Sequence, residues 1–151
     1  ANLLILAMAK FILPAANILG FVIFAAFAWL QHEDDNPDVY VNPSMVDVWI
    51  WITFYGVIAF SFLLAIWKRF LLPLLVIAGL FCLYQLVISG PGLIDNLRAD
   101  QFDMTGASMS PDHARVEQTR EFFGALIALV AVGLLFWQRR SVNLQPQLAE
   151  G

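Results

Sequence analysis

Glu33, Asp34, Asp35 and Asp38 crowd into QHEDDNPDVYVNPS, the first polar stretch of the chain at 31–44. Clustered carboxylates offer the hard oxygen donors that Ca²⁺ takes. An EF-hand would add a turn glycine and a terminal bidentate glutamate, and neither follows here. Acids at a helix end are more simply solvated or paired with arginine, and Arg115 and Arg120 are the partners on offer if the two polar connections meet. His32 and His113 with the same acids would make a transition-metal site. No metal is assigned; Glu33, Asp34, Asp35 and Asp38 are the candidates. A second charged group, Glu117-Gln118-Thr119-Arg120-Glu121, has helical spacing. Glu117 and Glu121 share a face, with Arg120 beside Glu117 at i+3. It reads as a solvated helix start or as a dock for the first connection.

Catalytic chemistry is missing. There is no P-loop, GxGxxG, GxSxG or HExxH. Cys82 is the one cysteine, so neither an intrachain disulfide nor CxxC chemistry is available, and it reads as a small packing group. No ionisable side chain lies near the middle of an apolar stretch, which argues against a proton-coupled transporter. His32 and His113 are the only histidines and lie outside those stretches, which disfavours buried haem or histidine-ligated pigment. No catalytic residue and no cofactor is therefore assigned, and no nucleic-acid partner or soluble substrate is indicated. Asn17, Thr53, Ser61 and Gln85 are the polar side chains at depth. Interhelical hydrogen bonding is their expected role.

Four apolar stretches must position these groups. Hydrophobic residues are 60% of the 151, charged residues 13%, and mean hydropathy is +0.74. A soluble domain carries about 25% charged residues. The apolar residues fall in runs of the length that crosses a bilayer, about 20 in a helix. The spacing predicts an all-α integral membrane four-helix bundle over 1–140, with spans near 11–30, 46–67, 73–89 and 122–138, and a polar, mobile tail at 141–151. Residues 2–9 are expected to extend the first span or lie at the interface, and Pro14 to kink or begin it. The first stretch also fits a signal peptide, with Lys10 as its basic region and Ala26-Phe27-Ala28 as a cleavage pattern. Ser44 is the expected N-cap of the second span, with Asp47 in its first turn. Trp49 and Trp51 are placed at one membrane interface and Trp67 at the other. Pro73 suits the start of the third span, and Gly90-Pro91-Gly92 is expected to end it. A short interfacial helix is expected near 93–102, and Pro111 is expected to open a helix leading into the fourth span. Small residues suited to close packing are Ala16 with Gly20, Gly56 with Ala59, Ala78 with Gly79, and Gly124 with Ala128 and Ala131.

Lys10, Lys68, Arg69, Arg139 and Arg140 cluster at one end of the predicted bundle. The positive-inside rule then puts both termini in the cytoplasm, with 31–44 and 90–119 outside. A bacterial inner membrane is the expected setting.

The segment from Gln31 to Asp38, ending Asp35-Asn36-Pro37-Asp38 and followed by Val48-Trp49 and an apolar span, resembles the Q-x-N-D-P-D…W segment of the transmembrane protein 220 family. Arg120-Glu121-Phe122-Phe123-Gly124 is similar to that family's R-E-x-x-G. The sequence departs by extra residues between Asp38 and the tryptophan, and by Asp-Asn-Pro-Asp in place of Asn-Asp-Pro-Asp. The resemblance implies a four-helix membrane fold and brings no assigned reaction with it. It also implies a shared outer-face constellation of Asn36, Pro37, Asp38, Arg120, Glu121 and Gly124. In that constellation Arg120 is expected to pair with Asp38 and Glu121, clamping the first connection to the head of the fourth span. Asn17 and Gln85 are expected to add interhelical contacts.

The expected function is non-catalytic: an accessory or scaffold subunit of a larger membrane complex, photosynthetic or respiratory assemblies included. Its partners would be the lipid bilayer and other membrane subunits. One alternative is a small-molecule or metal-binding carrier or enzyme using the outer acidic loop. Another is a homo-oligomeric channel lined by Thr53, Ser61 or Gln85.

Overall fold

A computed structural model describes residues 2–34, 36–40, 44–105, 109–110, 112 and 114–149. They form α1 (Asn2–Leu30), α2 (Met45–Ile66), α3 (Leu72–Arg98) and α4 (Ala114–Ala149), with a 3-10 turn at Gln31–Glu33. Each of the four helices is long and apolar enough to cross a bilayer. In lipid every backbone N–H and C=O must find its partner within the segment, so apolar runs of this length fold as helices. The chain is a multi-pass integral membrane protein with an all-α, four-helix fold.

Local chemistry sets the helix ends. Ser44 is extended and its side chain accepts from the Val46 N–H at 3.2 Å, capping α2 as expected, with Asp47 in the first turn. The far end of α2 closes in a Schellman motif. The Arg69 N–H donates to Leu64 O at 3.1 Å and the Lys68 N–H to Ala65 O at 2.9 Å. Lys68 holds the left-handed position, with φ 55°. A non-glycine residue is strained there, but a lysine also complements the negative end of the helix dipole.

α1 packs chiefly on α2, and α3 chiefly on α4, while α2 joins the two pairs. The buried core runs through Phe24, Ile58, Phe62, Leu75, Cys82, Ala128, Val132 and Leu135. The first pair is held at Gly20, over which the Phe62 ring lies; that ring stacks on Phe24 with centroids 5.9 Å apart. A Cβ at Gly20 would stand 2.7 Å from Phe62 Cδ1. Gly20→Ala is therefore expected to destabilise by about 1–2 kcal/mol in detergent unfolding, since the ring can shift but only by disturbing Phe24. Gly56 is the control. A Cβ there meets nothing within 4 Å, so Gly56→Ala should leave the unfolding midpoint unchanged or raise it. Equal losses from the two substitutions would rule out close approach as the role of Gly20.

Several expectations are corrected. α3 does not stop at Gly90-Pro91-Gly92 but continues to Arg98 and takes in the segment expected to hold a separate interfacial helix. Neither glycine has positive φ. Pro91 removes only the intrahelical bond to Val87 O, a loss that membrane helices tolerate, and one turn earlier Ser89 Oγ donates to Gln85 O. Gly92 serves as a contact point, with the Gln118 side chain of α4 lying where its Cβ would be. Pro14 likewise sits inside α1 without ending it. α4 runs past the expected end of the fourth span to Ala149, because extending an existing helix needs no new nucleus. Trp51 is buried, whereas Trp49 and Trp67 are exposed. Residues two apart on a helix face nearly opposite directions, so Trp49 and Trp51 cannot share one interfacial role. Pro111 lies outside the described residues.

Candidate loop-end cavity

The Asn36-Pro37-Asp38 segment is a turn device. Asn36 O accepts from the N–H groups of Val39 and Tyr40 at 3.1 and 3.0 Å, and Asn36 Oδ1 accepts from the Asp38 N–H at 3.0 Å. An asparagine that bonds its own backbone two residues on, followed by a proline with preset φ, folds the chain back sharply. The reversal returns Tyr40 to Asp34, and the Tyr40 hydroxyl donates to Asp34 Oδ1. Burial, then the Asp34 hydrogen bond and charge, push the Tyr40 phenol well above its ordinary value, with Arg120 pulling the other way. The phenol therefore stays a donor.

This folded connection roofs a cavity of about 690 Å³ at the end of the bundle where α1 stops and α2 and α4 begin. α2 contributes Asp47, Val48, Trp51 and Tyr55, and α4 contributes Glu117, Arg120, Glu121, Phe123, Gly124 and Ile127. On each helix most of these positions recur every three to four residues, so one stripe of each faces the cavity. Phe27 and Leu30 close the α1 side, and Met104 and Met109 come from the connection between α3 and α4. Aromatic rings form the deeper wall. Trp51 stacks on Tyr55 with centroids 5.5 Å apart, and Phe27 meets Tyr55 edge-on at 5.5 Å. Gly124 makes this possible: a Cβ there would stand 2.5 Å from the Tyr55 hydroxyl oxygen.

The residues singled out in the sequence separate here. Asn36, Arg120, Glu121 and Gly124 line the cavity together with Asp34. Asp38 is exposed and is not among the lining residues. The Arg120 guanidinium donates to Met109 Sδ, and across the cavity its charge acts on Tyr40. Among the described residues the expected Arg120–Asp38 pair does not form: Asp38 is exposed beyond the turn at Asn36, and Arg120 acts on the first connection through its charge at Tyr40. Among the described residues no three His, Cys, Asp or Glu side chains converge to hold a metal ion. Asp35 and His113 lie outside the described residues, as does the Glu33 side chain. His32 Nδ1 pairs with Trp29 O at 3.0 Å.

At the opposite end Asn17 of α1 and Gln138 of α4 exchange two amide hydrogen bonds, at 3.1 and 2.9 Å. Gln138, which the sequence marks only as the end of a span, is buried. Gln85 is buried on α3, and its Oε1 has no hydrogen-bond partner among the described residues. Ser61 bonds its own helix at Val57 O, 2.8 Å away, and Thr53 is exposed.

Residues 23–137 match the family model described as Transmembrane family 220, helix. The chain belongs to transmembrane family 220. This is the family that the Q…N-P-D and R-E-x-x-G segments resemble. Neither a curated protein nor a solved structure matches the chain. In this family 220 protein every cavity-lining residue, from Phe27 to Ile127, falls inside the matched stretch, whereas the Asn17–Gln138 clasp falls outside it.

Proposed function

We propose that this family 220 protein is a non-catalytic binding protein whose loop-end cavity receives a small ligand. The observation that carries this reading is the cavity itself. Its volume of about 690 Å³ lies within the range of small-molecule sites, and its wall joins aromatic rings to a few charged groups. Rings, charges and hydrogen-bonding groups of this kind suit holding a ligand, so binding is the chemistry proposed. The basic residues Lys68, Arg69, Arg139 and Arg140 sit at the other end of the bundle. By the positive-inside rule the cavity then opens away from the cytoplasm, in a bacterial cell on the outer side of the inner membrane.

The accessory-subunit reading stands beside it. α1 leans mainly on α2 and leaves most of its circumference for lipid or for another membrane protein. Of the three residues on which the channel reading rests, Ser61 and Gln85 turn into the bundle and Thr53 is exposed, so one candidate is left to line a pore between copies.

Native mass spectrometry after gentle extraction separates these readings. A cavity receptor flies as this chain alone and sheds a small adduct on collisional activation. Larger proteins at fixed stoichiometry, with no adduct, would establish the subunit role instead. Protease applied to sealed cells should cut within 31–44 and spare the Lys68-Arg69 turn; the reverse pattern would invert the orientation.

A further inference from the structure

We propose that the cavity is a site for an organic ammonium ion. This rests on the reading of the cavity as a ligand site and adds the class of ligand. Four acidic side chains, Asp34, Asp47, Glu117 and Glu121, line it against one guanidinium, Arg120, and Asp34 already accepts from the Tyr40 hydroxyl. A cleft with low-dielectric walls and an excess of one sign concentrates ions of the other. The excess is not arranged for a metal ion. Calcium needs several oxygens converging at short range, and among the described residues no such group exists. Carboxylates spread around a wide cavity suit a cation that is itself large.

The deeper wall supplies what a large cation uses. Phe27, Trp51 and Tyr55 all line the cavity, and aromatic rings draw ammonium groups. Glu121 stands one helical turn before Gly124, against whose backbone the Tyr55 hydroxyl rests. A carboxylate therefore borders the aromatic floor. Met104 and Met109 add polarizable apolar surface for the body of the ligand. A free solute and a zwitterionic lipid headgroup both present an ammonium group of this kind, with the same recognition chemistry.

The test uses the full chain in maltoside micelles, which carry no ammonium group, and three probes of one shape. These are choline, its neutral isostere 3,3-dimethylbutan-1-ol, and the anion 3,3-dimethylbutanoate. Calorimetry should show choline binding at least about tenfold more tightly than the alcohol, with no heat from the anion. Glu121→Gln should weaken choline binding by about tenfold. Arg120→Gln should tighten it, an outcome that a damaged fold cannot produce. Competition by short-chain phosphatidylcholine, but not by phosphatidylglycerol of the same chains, would assign the headgroup as the source. Choline binding without such competition would assign a free solute.

Equal affinity for choline and the alcohol, preference for the anion, or indifference to Glu121→Gln and Arg120→Gln would each overturn the ammonium assignment and leave the cavity a ligand site. Silence from all three probes, in protein whose native mass spectrum still carries an adduct, overturns the ammonium alone. Silence without an adduct overturns the underlying reading as well.

Discussion

Asn96→Leu is expected to lower the unfolding free energy by about 2–4 kcal/mol, the largest loss of any single substitution considered. Asn96 is fully buried on α3 and is the hub of a small network. Its Nδ2 donates to Asp103 O at 2.7 Å and to Thr119 Oγ1 at 3.0 Å, while its Oδ1 accepts from the Asp103 N–H at 3.3 Å. The Thr119 hydroxyl in turn donates to Arg115 O at 2.6 Å. Leucine matches asparagine in branching and removes all of the Asn96 bonds at once. Each is worth about 0.5–1.5 kcal/mol net, and the stranded groups of Asp103 and Thr119 add to the loss. Asp103 then no longer ties the connection after α3, on which Met104 reaches the cavity wall. Denaturation followed by tryptophan fluorescence measures the loss, and limited proteolysis near 99–105 should accelerate in parallel. An unchanged midpoint would mean that the network contributes nothing. A lower midpoint without faster cleavage would confine its role to the α3–α4 contact.

Asn17→Leu comes next, with an expected loss of about 2 kcal/mol. A single interhelical hydrogen bond in a membrane protein averages about 0.6 kcal/mol. Here two bonds break together, and the Gln138 amide is left buried without its partner. The stranding is the larger part, since an unsatisfied buried amide costs about 1–3 kcal/mol. The double substitution Asn17→Leu with Gln138→Leu should therefore lose less than the two single losses combined, because no orphan remains. Strict additivity would show that the amides act independently and that the clasp between α1 and α4 is energetically empty.

Much of the fold was legible in the residues. Four apolar runs give four helices, Ser44 caps α2, Cys82 packs in the core, and Asn17 makes an interhelical bond. The misplaced boundaries share one cause. Gly90-Pro91-Gly92 and Ser141 carry signals that end helices in water, but in α3 and α4 the helix was already formed and continued through them. Part of the cavity was also visible: Glu117, Arg120 and Glu121 have helical spacing, and the family resemblance pointed to Asn36 and Gly124, which line it too. The rest was not. Trp51 looks like an interfacial tryptophan, and nothing local distinguishes it from Trp49. Asn96 falls in the stretch expected to lie at the interface, and Gln138 looks like the polar end of a span, yet both are buried.

The amino-acid order by itself determined that lipid surrounds this chain, that it crosses as helices, and where its charges gather. Hydrophobicity, backbone hydrogen-bond demand and capping act within a few turns, so they can be summed along the chain. Only the tertiary structure decided which polar groups meet. Asn17 and Gln138 are 121 positions apart, and Asn96 and Thr119 are 23 apart. Whether such side chains touch depends on the rotation and depth of one helix against another. Small shifts in either angle or register exchange one partner for another, and no local stretch of sequence specifies them.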